Sequence, residues 1–186
     1  MIQDITIPLP PWLKTLTPPS AFSNDTSKME FAIFLAKKNI EEKTGGPFGA
    51  AIFSSKTNKL LAYGVNLVTY ANISILHAEI VTFILAQKKL KSYTLNFDNE
   101  EFELFSSSEP CAMCLGACLW SGVKKVVYGA PAKYAREIGF DEGPVFPESW
   151  QYLQQKGIQL KTNVLADKAR KVLLEYKNKQ GIIYNG

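Results

Sequence analysis

The chain has 186 residues, of which 46% are apolar, 20% charged and 12% aromatic; these are globular values and exclude a disordered, collagenous or coiled-coil protein. Its net charge is +4, yet only two of the 21 cations, Arg136 and Arg170, are arginines, whose fork suits phosphates and bases, so no nucleic-acid partner is expected. No apolar run approaches the roughly 18 residues of a membrane span, and Met1 to Leu9 has no basic n-region or long apolar h-region, which leaves no membrane partner or signal peptide expected and the cytoplasm as default compartment.

Half of the ten prolines (Pro8, Pro10, Pro11, Pro18, Pro19) lie in the first 20 residues. They predict a proline-rich arm over residues 1–25, extended and not helical. Residues 26–186 read as a single domain. Ser27-x-x-Glu30 has the form of a capping box, followed by an amphipathic run to about Glu42 that Thr44-Gly45-Gly46-Pro47 stops. Phe48 to Ser54 and Leu60 to Val65 predict two strands around the turn Ser55-Lys56-Thr57-Asn58. The spacing of Ile80, Phe83, Ile84 and Leu85 predicts a helix over 77–90. Further expectations are a strand over 103–107, a short apolar helix over 111–120 opened by Pro110, a strand over 125–128 and a helix over 132–138. A fifth strand over 159–162 and a last helix over 166–178 complete an α/β or α+β sandwich around one sheet.

The scarcest residues carry the chemistry. There are three cysteines and one histidine, and an odd cysteine count argues against a disulfide framework. Cys111 and Cys114 sit at i and i+3, on one face of the first turn after Pro110, where free backbone N–H groups and the helix dipole favour thiolates. His77 opens its own helix in the same way. One imidazole and two thiolates suit zinc, and three protein ligands leave a fourth position for water, as catalytic sites do. Glu79, two residues from His77, supplies a base beside that position. A redox dithiol and a structural zinc module closed by Cys118 are the competing readings. Cys118 lies about 10 Å along the helix axis from Cys111, too far to share the ion, and reads as core.

His77-Ala78-Glu79 with Pro110-Cys111-Ala112-Met113-Cys114 resembles the signature of the zinc-dependent cytidine deaminase superfamily. Gly45-Gly46-Pro47-Phe48-Gly49-Ala50, the Asn66 segment, Glu109 to Trp120 and Ile138-Gly139-Phe140-Asp141-Glu142 narrow the resemblance to guanine deaminases of that fold. The resemblance implies a three-layer α/β/α sandwich with one mixed five-stranded sheet. It implies that His77, Cys111 and Cys114 bind Zn2+, that Glu79 shuttles protons, and that Glu142 approaches the guanine edge. Asn66 takes the position that hydrogen-bonds the purine, Phe48 and Trp120 take aromatic wall positions, and the backbone of Ala78 faces the substrate. Asp141 neighbours Glu142 and is a further substrate contact. The family is dimeric, and its C-terminal tail can close a partner subunit's site, which makes Tyr184 a lid candidate.

The reaction implied is hydrolysis of guanine to xanthine and ammonia, by attack of zinc-bound hydroxide on the amino-bearing carbon. Guanine offers donors at N1 and the 2-amino group, and a carboxylate accepts both, whereas adenine would present an acceptor. An unmatched buried polar group costs about 1–3 kcal/mol, enough to discriminate between the bases. Two other substrates fit the same metal site: the adenosine of a tRNA, and another amino heterocycle such as an aminotriazine.

Overall fold

The computed structural model describes residues 6–96 and 99–185. The first five residues of the arm and Gly186 of the tail lie outside the described residues. Five strands form one mixed sheet in the order β2-β1-β3-β4-β5: β1 (Gly49–Ser54), β2 (Leu60–Val65), β3 (Phe102–Ser108), β4 (Lys125–Ala130) and β5 (Gln159–Lys161). β1 runs antiparallel to both β2 and β3, with Ala51 opposite Tyr63 on one side and Phe105 on the other. β3, β4 and β5 are parallel, with Glu103 opposite Lys125 and Val126 opposite Leu160. Every residue of β1 and β3 is buried, as strands covered on both faces require.

Alternation along the strands splits the core into two layers. Phe53, Phe105 and Val127 face Met29 and Leu35 of α2 (Asp25–Glu41) and Val172 and Leu173 of α8 (Ala166–Asn178). Ile52, Leu104 and Val126 face Phe83 of α4 (Ala78–Leu90), Leu115 and Cys118 of α5 (Ala112–Ser121), and Trp150 and Leu153 of α7 (Pro147–Gln155). The result is the three-layer α/β/α sandwich, with Cys118 in the core as its spacing predicts. No helix of the described residues is long and apolar enough to cross a membrane.

Three local expectations are corrected. The arm is not extended throughout: Pro10 gives way to α1 (Pro11–Thr15), because Pro11 sits at the first helical position, where a missing N–H costs nothing. Leu13 of α1 is buried and Tyr63 Oη donates to its carbonyl at 3.3 Å, which docks the arm on the core. The cap of α2 is Asn24, not Ser27. Asn24 Oδ1 accepts the Ser27 N–H at 3.0 Å, and Ser27 Oγ accepts the Asn24 N–H at 3.3 Å, so Ser27 fills the reciprocal position of the box. Finally, α3 (Val68–Ala71) and α7 are helices in stretches to which the sequence reading assigns no element; α7 again has proline at its first position.

The two ends of the parallel strands differ in character. At their starts, Glu103 pairs with Lys28 and, at 3.0 Å, with Lys125, which also reaches Asp25 at 3.1 Å. Lys28 and Glu103 are almost fully buried, and each satisfies the other's charge. The opposite end of β3 and β4, where α5 and α6 (Ala132–Glu137) begin, opens onto a cavity. Ligands in open α/β sheets bind at this carboxyl end.

Candidate active site

Two helix starts converge on the cavity. His77 caps α4 and Cys111 caps α5, both with extended backbone, and Cys114 follows one turn into α5. Their ligand atoms all lie within 4.8 Å of one another, with Cys111 Sγ 3.4 Å from His77 Nδ1. Both cysteines are buried and free of disulfide. Cys111 is held down to about 4, first by the neighbouring Cys114 side chain and then, against burial, by His77. The same Cys111 contact and burial push Cys114 well up. One thiolate, one thiol and one imidazole thus share a single buried pocket. A divalent ion that displaces the remaining thiol proton completes a set of two sulfurs and one nitrogen, which is a zinc donor set.

Glu79 stands on the first turn of α4, almost fully buried. Its Oε1 accepts the Ser106 hydroxyl at 2.8 Å, and its Oε2 accepts the Cys114 thiol at 3.3 Å. Burial pushes the Glu79 carboxyl up, and Cys111 adds to the shift. Glu142 is the second buried carboxyl of the cavity, raised to about 8 by burial and by the nearby Cys111 and Glu79 charges. Its carbonyl accepts the Ala112 N–H at 2.9 Å, which ties its loop to the start of α5. Asp141 lines the rim but spends its Oδ1 on the Gly143 N–H at 2.8 Å, a turn within the loop. Glu109, also in the wall, accepts the Ala132 N–H at 2.9 Å and the Trp150 indole at 3.0 Å. Both its oxygens are scaffold.

The cavity measures about 710 Å³ and is walled by Phe48, Phe140, Ile75 and Tyr184. Phe140 meets Phe48 and Tyr184 edge-on, with centroids 5.1 and 5.0 Å apart. Tyr184 lies on the C-terminal tail, which crosses the cavity of its own chain. Asn185 fastens that tail, donating to Gly139 O at 2.9 Å and accepting the Asp141 N–H at 2.8 Å. A Cβ on Gly46 would lie 2.0 Å from Tyr184 Oη, so the tail approaches as closely as only glycine permits.

Asn66 and Ala78 are buried just outside the lining itself. Asn66 Oδ1 accepts from the N–H groups of Val68 at 3.2 Å and Gly46 at 3.4 Å, while its Nδ2 is buried with no partner among the described residues. Trp120 is not brought into this cavity; it is 82% exposed on the outer side of α5. Nine residues from Cys111 turn the helix half-way round and carry the indole about 13 Å along the axis. Sequence reading overlooked Ser106, Phe140 and Asn185. For Ser106 a signal existed: Ser106-Ser107-Ser108 is a polar run closing a fully buried strand.

Residues 22–130 match the family described as the cytidine and deoxycytidylate deaminase zinc-binding region. A guanine deaminase of Bacillus subtilis (strain 168) is 38% identical over 125 residues, spanning 67% of this chain and 76% of that protein. A solved guanine deaminase from Nitrosomonas europaea matches with a TM-score of 0.90 at 37% identity, covering 96% of this chain and 98% of that one. A tRNA-specific adenosine deaminase of Buchnera aphidicola subsp. Schizaphis graminum is 28% identical over 141 residues, 75% of this chain and 86% of that protein.

Proposed function

The chain belongs to the cytidine and deoxycytidylate deaminase zinc-binding family, and from that premise we propose that it hydrolyses guanine to xanthine and ammonia. One observation carries the choice of substrate: a second buried carboxyl, Glu142, shares the cavity with Glu79. Guanine presents two adjacent donors, and Glu142 accepts both in its ionised, acceptor-only form. The tail supports a free base over a nucleic acid, because Tyr184 covers the cavity, half-buried as a residue and with its hydroxyl out of contact with solvent.

His77, Cys111 and Cys114 would hold the zinc ion, which when bound would supply a Lewis acid able to activate water. This chain's own groups do the rest. Once Cys114 gives up its proton to ligate, Glu79 Oε2 loses its thiol partner and is free to accept a proton from the nucleophile. Ser106 keeps the other oxygen fixed while Glu79 hands that first proton to the purine ring and then carries the proton of the added hydroxyl to the departing amine, which leaves as ammonia. Phe48 and Phe140 sandwich the cavity from one side, the unpartnered Asn66 Nδ2 is a donor for a ring acceptor, and Tyr184 excludes water.

We read the enzyme as a cytoplasmic homodimer acting in purine breakdown. Support for the dimer is Trp120, a large apolar side chain that a single chain leaves 82% exposed.

The test is turnover of guanine by zinc-loaded protein, followed as xanthine and ammonia, with Glu79→Gln alongside. The expected result is turnover by the wild type, a loss of roughly a hundred- to ten-thousand-fold in the variant, and unchanged zinc content in both. Zinc-loaded wild type that leaves guanine intact overturns the assignment, and an aminotriazine and a tRNA are the next substrates to supply. Activity that falls steeply with salt would point to the tRNA.

A further inference from the structure

The described part of the N-terminal arm reaches the cavity through hydrogen bonds and is not among the residues that line it. Trp12 of α1 donates its indole N–H to Thr44 Oγ1 at 2.9 Å. That hydroxyl has one proton, and it goes to Asn39 Oδ1 at 2.7 Å. Asn39, on α2, is completely buried. With Oδ1 engaged in this way the orientation of its amide is settled, and Nδ2 donates to two backbone carbonyls at once, Gly46 O and Asn66 O, both at 2.9 Å. Gly45 makes room for this junction, since a Cβ there would lie 2.0 Å from Asn66 O and 2.9 Å from Asn39 Nδ2.

Gly46 and Asn66 are the two positions that matter at the purine end. Gly46 offers its N–H to Asn66 Oδ1 and its bare Cα to Tyr184. Asn66 donates its backbone N–H to Phe48 O at 3.1 Å and receives the Val68 N–H on Oδ1. Phe48 and Val68 both line the cavity. The side-chain amide of Asn66 is therefore clamped by its oxygen, beside the cavity, with Nδ2 left over.

We propose that Asn39 is the positioning residue that aims Asn66 Nδ2 at the bound purine, and that Thr44 and Trp12 set the orientation of Asn39. The arm takes part in substrate binding through Trp12, which is not itself among the residues lining the cavity. The identity of that ligand rests on the guanine reading; the relay itself does not.

The variant that breaks the relay most gently is Thr44→Val, which keeps the shape and removes the hydroxyl. Loss of one aimed hydrogen bond made equally in ground and transition state raises KM alone. The expected result with guanine is a KM raised about five- to tenfold, a kcat within about twofold, and recovery in Thr44→Ser. Trp12→Phe raises KM less, by about two- to threefold. In an Asn66→Ala background Thr44→Val adds nothing, because its effect passes through Asn66. A KM that rises by the same factor in both backgrounds, or does not rise at all, overturns the relay.

A second readout needs no substrate. In ¹⁵N-labelled, zinc-loaded protein the side-chain amide pair of Asn66 should shift or broaden in Thr44→Val and Trp12→Phe and return in Thr44→Ser. If wild type leaves guanine untouched but this pair moves, the reaction is misassigned and the relay stands. If the pair does not move, the relay is wrong whatever the kinetics show.

Discussion

Ser106 Oγ donates to Glu79 Oε1 at 2.8 Å, so the central strand of the sheet holds the carboxylate of a neighbouring helix in place. The bond fixes one oxygen and leaves the other for proton transfer. Replacing Ser106 by Ala should lower kcat about ten- to hundredfold, since a hydrogen bond to a charged group contributes about 1.5–3 kcal/mol. KM should stay near the wild-type value, because Ser106 is not among the residues lining the cavity. Steady-state kinetics with guanine checks both.

Removing the metal should cost stability as well as activity. A ligand held at a thousand times its Kd adds about 4 kcal/mol, and about 1 kcal/mol moves Tm by 2–4 °C in a chain of this length. Treatment with a chelator should therefore lower Tm by about 10 °C, reversibly on adding zinc. His77→Ala should already start from the lower Tm and show no response to the chelator; calorimetry of the two proteins side by side decides the matter.

Gly46→Ala should loosen the tail. The new methyl group would stand 2.0 Å from Tyr184 Oη and 3.0 Å from Cζ, so the ring has to leave. Limited proteolysis should then cut near residues 181–185 faster than in wild type. Combining it with Tyr184→Phe relieves the closer of the two clashes and should recover part of the protection.

Stability should depend on Asp25 in a defined pH window. Burial works to raise its carboxyl, but hydrogen bonds from Lys161 and Lys125 outweigh it and hold the group below its ordinary 3.8. A carboxyl lowered on folding contributes fully above that ordinary value and loses its contribution as pH falls through the folded one. Denaturation of wild type and Asp25→Asn should show a gap at neutral pH that closes only in acid below 3.8. A gap that persists there would assign the effect to the helix start instead of the ion cluster.

Much of this arrangement can be read in the sequence, for reasons that differ along the chain. His77, Cys111, Cys114 and Glu79 stand out because they are scarce and because each sits where a helix begins, a place that Pro110 and the apolar spacing of α4 mark locally. The strands β1, β2 and β4 stand out because their runs are largely apolar. Trp120 stands outside the described cavity of its own chain because helix phase puts it on the far side of α5, which matching a motif does not reveal. Pro11 is the opposite case: it opens α1 instead of preventing it, since proline breaks a helix only from within. Asn39, Thr44 and Trp12 give no local signal at all. Their partnership spans 32 residues between Trp12 and Thr44 and 27 between Asn39 and Asn66, and only the packed fold creates it.

β3 carries a division of labour. Glu103, near its start, belongs to the ion cluster with Lys28 and Lys125, and Ser106, three residues later on the opposite face, belongs to the chemistry. What secures the molecule and what reacts are thus anchored to one rigid rod about 10 Å apart, facing different layers. Side chains around the rim can be exchanged, and a new amino heterocycle admitted, without disturbing the charges that fasten the other end. Selection for a changed substrate would find this chassis permissive at Phe48, Ile75 and Tyr184, and unforgiving at Lys28 and Glu103.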